Sequence, residues 1–317
     1  MPRLLTLFFF FSITLLRAQS LSFCGNCSWD SEGFQSIWEQ YISEDTAMSR
    51  MKVSSVRIAV TKDTLSAGFA MRNMNDPNCF DCRLVRFDAM GRKEFVFTNT
   101  PSAMSGKLLK TQYIYDEQSR PKYVLQYMKS PMNEEDTAYH MYQFELYAYY
   151  KNFSISKTYS PEGTGFSATP RQPALSITTR TYDDKGRVLC RKTNYPSFAS
   201  QNDSTVFRYG ADGSVSYDVY AGKQLVYSSR ATGEFNRPAE MHDTTFTGPQ
   251  STVAYYYTYD TEQRLIRVLA QGDEQLQRIC GGITSTEIRY DKNGLPLLIV
   301  FRGRGDYCAL AFYYSYY

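Results

Sequence analysis

Histidine is nearly missing from this 317-residue chain, which holds only His140 and His242. An imidazole metal site needs two or three converging ligands, and a catalytic triad needs a base beside its nucleophile. The one arrangement to weigh sets His242 and Asp243 as base and orienter for a serine such as Ser228. The plainer reading of that stretch is a polar loop near a decayed repeat. A glycine-rich phosphate loop is also lacking. Runs of one charge are missing too: 35 Lys and Arg stand interleaved with 32 Asp and Glu, for a net charge of +3. That pattern carries no nucleic-acid footprint. No cofactor and no metal are expected.

The N-terminus has the three parts of a secretory signal peptide: Arg3, an apolar stretch from Leu4 to Leu16, and the small residue Ala18, after which cleavage is expected. The apolar stretch falls short of the ~20 residues that span a bilayer as a helix. Phe23 before Cys24 departs from the small residue that a lipoprotein site requires. Seven cysteines follow. In an exported chain their default role is disulfides, with Cys24, Cys27, Cys79, Cys82, Cys280 and Cys308 as candidates and Cys190 as the odd one. The CxxC spacing of Cys24–Cys27 and Cys79–Cys82 leaves a four-thiolate zinc site as the alternative.

What the chain has in quantity is tyrosine and phenylalanine, 27 and 20 residues, which suits strands with one buried face. One amphipathic helix is expected over Glu32 to Met48, where Phe34, Ile37, Trp38, Tyr41 and Ile42 recur at three- and four-residue steps. It would cap the end of a sheet. Beyond it the period falls to two.

An internal repeat dominates the remainder. An aromatic residue precedes aspartate at Phe87-Asp88, Tyr115-Asp116, Tyr182-Asp183, Tyr259-Asp260 and Tyr290-Asp291, with Tyr209-Gly210 as a sixth copy. Four residues after the aromatic stands Gly91, Ser119, Gly186, Gln263, Gly294 or Gly213, and then Arg92, Arg120, Arg187 or Arg264 in four copies. Val85, Tyr113, Phe207, Tyr257 and Ile288 stand two residues before the aromatic and share its face, while Arg86, Arg208, Thr258 and Arg289 point the other way. The aspartate can bond backbone N–H groups in a turn and the glycine supplies positive φ, so each copy reads as a β-hairpin. The structural turn residues are Asp88, Gly91, Asp116, Asp183, Gly186, Gly213, Asp260, Asp291 and Gly294. Intervals of 28, 67, 27, 50 and 31 residues between copies imply decayed members in the two long gaps. Tyr159 to Gly163 and the region of Gly233 to Pro238 are the candidates. About eight hairpins, roughly sixteen strands, would fill 53–317, preceded by a 19–52 segment with the CxxC and the helix. Pro170 and Pro173 mark a loop or seam.

The string Tyr182-Asp183-Asp184-Lys185-Gly186-Arg187-Val188-Leu189 resembles the YD repeat of the RHS family, and Tyr259 to Ile266 is similar with Gln263 in place of glycine. The resemblance covers the chain from about residue 80. It implies a spiralling antiparallel sheet of hairpins, of the kind that winds into a shell in the large RHS proteins and teneurins. The toxin function of that family does not carry over: the one Asp-Pro, Asp76-Pro77, precedes the repeats, and no toxin segment follows them. The likeness is to small exported YD-like proteins of Gram-negative envelopes.

The expected fold is all-β, an antiparallel meander of hairpins in a curved, twisted sheet, either open or closed into a barrel. The expected role is non-enzymatic: an exported periplasmic, surface or extracellular binding or scaffold module for envelope polysaccharide or another surface protein. The alternative is an integral outer-membrane barrel. Against it stand Arg180, Arg191, Arg208, Arg267 and Arg289 within strands, where a lipid-facing band must be free of charge. A hydrolase with its site in inter-repeat loops is the third reading. Glycosidase carboxylates must face each other across a substrate, whereas the repeat aspartates belong to turns. An open sheet would need its edges covered, by the helix and by the last strand, whose apolar face is Leu310, Phe312, Tyr314 and Tyr316.

Overall fold

Apolar and polar residues alternate with period two from Val53 onward, so a single layer of strands can bury one face. A computed structural model describes residues 48, 50–61, 82–100, 107–129, 138–162, 165–234, 237–246, 250–272, 283–303 and 307–317. Within them lie eighteen strands. The first nine are β1 (Val53–Thr61), β2 (Cys82–Phe87), β3 (Lys93–Thr100), β4 (Lys107–Tyr115), β5 (Pro121–Lys129), β6 (His140–Tyr149), β7 (Phe153–Tyr159), β8 (Ser176–Tyr182) and β9 (Val188–Asn194). The rest are β10 (Asp203–Tyr209), β11 (Val215–Ala221), β12 (Gln224–Glu234), β13 (Arg237–Thr245), β14 (Ser251–Tyr259), β15 (Leu265–Gly272), β16 (Ile283–Tyr290), β17 (Pro296–Gly303) and β18 (Tyr307–Tyr316).

Every strand pairs antiparallel with its successor, and β18 returns to β1, with Val56 opposite Tyr314 and Ile58 opposite Phe312. The sheet is a closed barrel. Closure is the architecture that the outer-membrane alternative requires, and it replaces the open scaffold sheet. The terminal strand does not cover an edge; it removes one by pairing. Alternate connections lie at opposite ends of the barrel. The tight aromatic–Asp turns, with β6–β7 and β12–β13, gather at one end, where β1 also begins and β18 finishes.

Of the expected helix only Met48 is among the described residues; it is helical and buried in the core. The expected signal peptide and Cys24, Cys27, Cys79 and Cys280 lie outside them. Cys82 opens β2 and Cys308 lies in β18, while Cys190 is a free thiol.

Side chains of paired residues share a face, so the registers trace each face around the wall. Val56, Val85 and Val96 form one inner row, and Ile288 with Ile299 and Tyr257 with Val268 lie on the same side. They join one apolar cluster linking β1–β3 to β12–β18. Eighteen-stranded porins leave an aqueous channel; this half of the interior is instead packed. The inner face of β6–β10 is polar and holds Glu145, Ser156, Arg180, Arg191, Asp203 and Thr205. The five strand arginines therefore divide: Arg180 and Arg191 face inward, Arg208, Arg267 and Arg289 outward.

The outer face is apolar in one sector, where Leu125, Phe144 and Tyr159 are buried. The β7–β8 connection folds back over them. Phe166 sets its ring 5.0 Å from Tyr123 and 5.3 Å from Phe144, edge to face. Glu162 holds this strap by accepting from the backbone N–H of Arg171 at 2.6 Å. Tyr159 to Gly163, read from sequence as a decayed hairpin, is the start of the strap at the opposite end from the repeat turns. The decayed copy in that gap is the β6–β7 turn at Tyr149 to Asn152. The second expected copy, at Gly233 to Pro238, lies where β12 turns into β13.

Candidate functional site

The six sequence repeats build one turn. In each, the residue after the aromatic donates its N–H to the carbonyl four positions on, as Asp183 does to Arg187 at 2.9 Å, and the fourth residue donates back, as Gly186 does to Asp183 at 3.0 Å. The fourth position takes positive φ in all six: 79° at Gly91, 77° at Gly186, 86° at Gly213 and 82° at Gly294, but also 61° at Ser119 and 64° at Gln263. Asp183 accepts the N–H groups of Lys185 and Arg187 on Oδ1 and the Arg187 Nε–H on Oδ2. Asp88, Asp116 and Asp260 repeat this grip on Arg92, Arg120 and Arg264. Asp291 keeps only the backbone half, since Leu295 stands where the arginine would be.

Electrostatics follow from the grip. Partial desolvation would raise the Asp116 and Asp183 carboxyls, but the N–H groups and guanidiniums of Arg120 and Arg187 hold both below the ordinary aspartate value. At Asp260 the backbone N–H of Arg264 is the chief cause of the same lowering.

Each gripped arginine lies over the tyrosine of the next hairpin: Arg92 over Tyr115 at 4.6 Å, Arg120 over Tyr149 at 4.3 Å, Arg187 over Tyr209 at 4.2 Å and Arg264 over Tyr290 at 4.9 Å. That tyrosine donates its hydroxyl to the carbonyl just past the arginine, Tyr115 to Lys93, Tyr149 to Pro121, Tyr209 to Val188 and Tyr290 to Leu265. The turn residues named from sequence are thus brought into one rim of clasps, hairpin to hairpin. They hold the fold and surround no common reacting point.

The arginine–tyrosine clasp is made at four turns, and the β6–β7 turn is one of those that lack it. The β6–β7 turn closes between Tyr150 and Phe153 with neither aspartate nor arginine. Tyr182, next along, bonds the Ser154 hydroxyl at 2.8 Å instead of a carbonyl. Arg120 is the most open of the four gripped arginines: its side chain is 45% exposed, against 36% for Arg187, 30% for Arg264 and 22% for Arg92. A recess of about 380 Å³ opens at this break, within the range of small-ligand pockets. Tyr115, Tyr147 and Tyr149 line it, with Asp116, Glu117, Gln118, Arg120 and Lys122 around them. Beneath, Tyr147 donates to Glu145 at 2.7 Å, and burial first, then Glu145, raises its pKa far above the usual phenol value. Arg180 faces Ser156 across the same polar inner wall.

Sequence reasoning did not find this recess. Its signal was the 67-residue gap together with the pair Tyr149-Tyr150, hidden because that copy has lost its Asp-x-x-Gly-Arg. The considered triad does not assemble, because β13 turns His242 and Asp243 to opposite faces. His242 meets Glu240 at 2.6 Å on the outside, and Ser228 donates to Asp218 there at 2.9 Å. Asp243 points inward and is buried; burial raises its carboxyl to about 6, although the Tyr227 and Ser229 hydroxyls and His242 pull the other way.

No protein-family model and no curated protein matches the chain. Among solved structures it is similar to a porin-like protein from Bacteroides uniformis ATCC 8492, at 7% identity and a TM-score of 0.36 over 83% of this chain and 98% of that one. A porin-like protein from Bacteroides vulgatus ATCC 8482 aligns at 11% identity and 0.30, over 66% and 92%. The Photorhabdus luminescens Tc holotoxin pore aligns at 15% identity and 0.28, over 77% of this chain and 13% of that one. At such scores none of them bears on what the chain does.

Proposed function

We propose that the protein is an exported β-barrel of the cell envelope whose wall faces water, and that it is a non-enzymatic binding module. The sorting of residues by face is the observation that carries this. Lys157, Lys192 and Arg267 are exposed on the outer face within their strands, and Arg86, Arg208 and Arg289 are exposed there at the turn ends of theirs, each one residue before the turn aromatic. A charge on the lipid face of a barrel costs about 2–4 kcal/mol at the bilayer midplane and about 0–1 kcal/mol near the interfaces, so Lys157, Lys192 and Arg267 weigh most against insertion. The largest apolar cluster instead fills the half of the interior walled by β1–β3 and β12–β18, as in a water-soluble protein. The recess at the break in the rim is where a hydroxylated ligand such as an oligosaccharide fits, with guanidinium, ammonium, carboxylate and phenol groups converging on it. The repeated clasp supports kinship with YD-repeat proteins of the RHS family.

Membrane insertion is the second reading. Full closure and tight turns at one end favour it. Fractionation of the native host decides between them. The water-facing reading expects the mature chain in soluble or carbonate-washable fractions and monodisperse without detergent; retention in the washed outer membrane would reverse the order of the two readings.

A further inference from the structure

Along the chain, positive and negative residues alternate without pattern, yet the barrel separates them. Lys157 pairs with Ile177, Lys192 with Ser204, Arg208 with Ser216 and Arg289 with Leu298, all on the outer face. Following the registers, the strand carboxylates on that face among the described residues are Asp218, Glu240 and Glu287. Asp218 is already held between Arg208 at 2.6 Å and Arg230 at 2.9 Å, both about half exposed. Desolvation would raise the Asp218 carboxyl, and the two arginines with Ser228 hold it below the ordinary value, so it stays charged and saturated. Asp88, Asp116, Asp183 and Asp260 sit in the turns gripped by their own arginines, while Asp291 there is held by backbone N–H groups and Asp212 by Ser214. What faces solvent along the wall is a belt of cations as wide as the strands, with Arg86, Arg208 and Arg289 near its turn end and Lys157 and Lys192 beyond mid-strand.

We propose that this belt binds an anionic polysaccharide that wraps the barrel. The inference rests on the water-facing reading above and adds a second surface, separate from the recess. The placement of the cations chooses the occupant. They recur on β2, β7, β9, β10, β15 and β16, around the circumference, whereas a planar membrane would meet one sector only. A flexible polyanion can follow the ring and neutralise many of them, releasing counterions as it does. Carboxylates or sulfates of such a chain would pair with exposed Lys157, Lys192 and Arg289, and would compete for Arg267 with Glu287, which stands opposite it and also lies 3.9 Å from Arg302.

The test uses the mature protein with polygalacturonate, and with neutral dextran, a DNA duplex and anionic phosphatidylglycerol vesicles for comparison, read by fluorescence anisotropy and co-sedimentation. Binding to polygalacturonate alone, falling about tenfold or more between low and high salt, is expected. Two charge-neutral pairs on opposite sides, Lys157→Gln with Lys192→Gln and Arg267→Gln with Arg289→Gln, are each expected to weaken binding severalfold and to shallow the salt dependence, with unchanged melting. Loss confined to one pair, or to neither, would overturn the belt. Tighter binding to DNA or vesicles than to polygalacturonate would overturn the polysaccharide. A protein that stays monodisperse without detergent yet binds no polymer defeats this inference alone; one that requires detergent defeats the water-facing reading beneath it.

Discussion

The guanidinium of Arg187 lies 4.2 Å from the centre of the Tyr209 ring, while its Nε–H is given to Asp183 at 2.7 Å. One side chain therefore ties a turn to itself and to the next hairpin. Arg187→Ala is expected to cost about 1 kcal/mol, as partly exposed ion pairs and cation–π contacts do. Tyr209→Phe, which removes the hydroxyl bonded to Val188, is expected to cost about the same. Thermal melts of Arg187→Ala, Tyr209→Leu and their double variant would show coupling through the ring; strict additivity would mean that ring and guanidinium do not share one clasp.

Ser119 and Gln263 hold φ values of 61° and 64° where their sister turns use glycine. A side chain in that region costs about 1 kcal/mol, and both turns lie at the surface. Ser119→Gly and Gln263→Gly should each stabilise the protein by up to that amount, read as a higher denaturant midpoint with unchanged slope. A loss of stability would mean the side chains contribute more than their strain costs.

Asp243 is fully buried and its carboxyl is raised to about 6, above the usual 3.8. The protonated form is thus favoured by folding. Its contribution is fully present below about pH 4 and is lost as pH rises through 6, a difference of roughly 2–3 kcal/mol. Stability should therefore increase as pH falls from 7.5 to 5. Asp243→Asn should be more stable than the parent at pH 7.5 and should flatten that part of the profile. A parent profile that falls over the same window would contradict the assignment.

Tyr317 donates its N–H to the Lys52 carbonyl at 3.0 Å and its hydroxyl to the Phe87 carbonyl, joining the end of β18 to the start of β1 and to the first turn. Deleting 310–317 removes most of the strand that closes the ring and exposes the edges of β1 and β17. Size-exclusion chromatography is expected to show aggregation or degradation; a monomer with unchanged melting would show that closure is dispensable.

The period-two alternation assigns Val85, Phe207, Tyr257 and Ile288 to the face of their aromatic neighbours, and the registers place all four on the inner face. Positive φ at the turn glycines was equally legible, because the hydrogen bonds that demand it span only a few residues; at Ser119 and Gln263 it emerged from the structure. Tyr159 went wrong for a reason that local spacing cannot contain. In a meander, the end at which a turn falls depends on how many strands precede it. Tyr159 closes β7, an odd strand, so its connection emerges away from the rim.

The sequence by itself determined the strands, the buried side of each and the geometry of the repeat turns, since these depend on residues two to six positions apart. Only the tertiary structure decided that the sheet closes, because β1 and β18 meet across more than two hundred residues and their pairing depends on the summed curvature of every strand between. The recess and the cationic belt arise the same way. The first is a gap between turns separated by about thirty residues, and the second is charge that is mixed along the chain but sorted by the two faces of a closed wall.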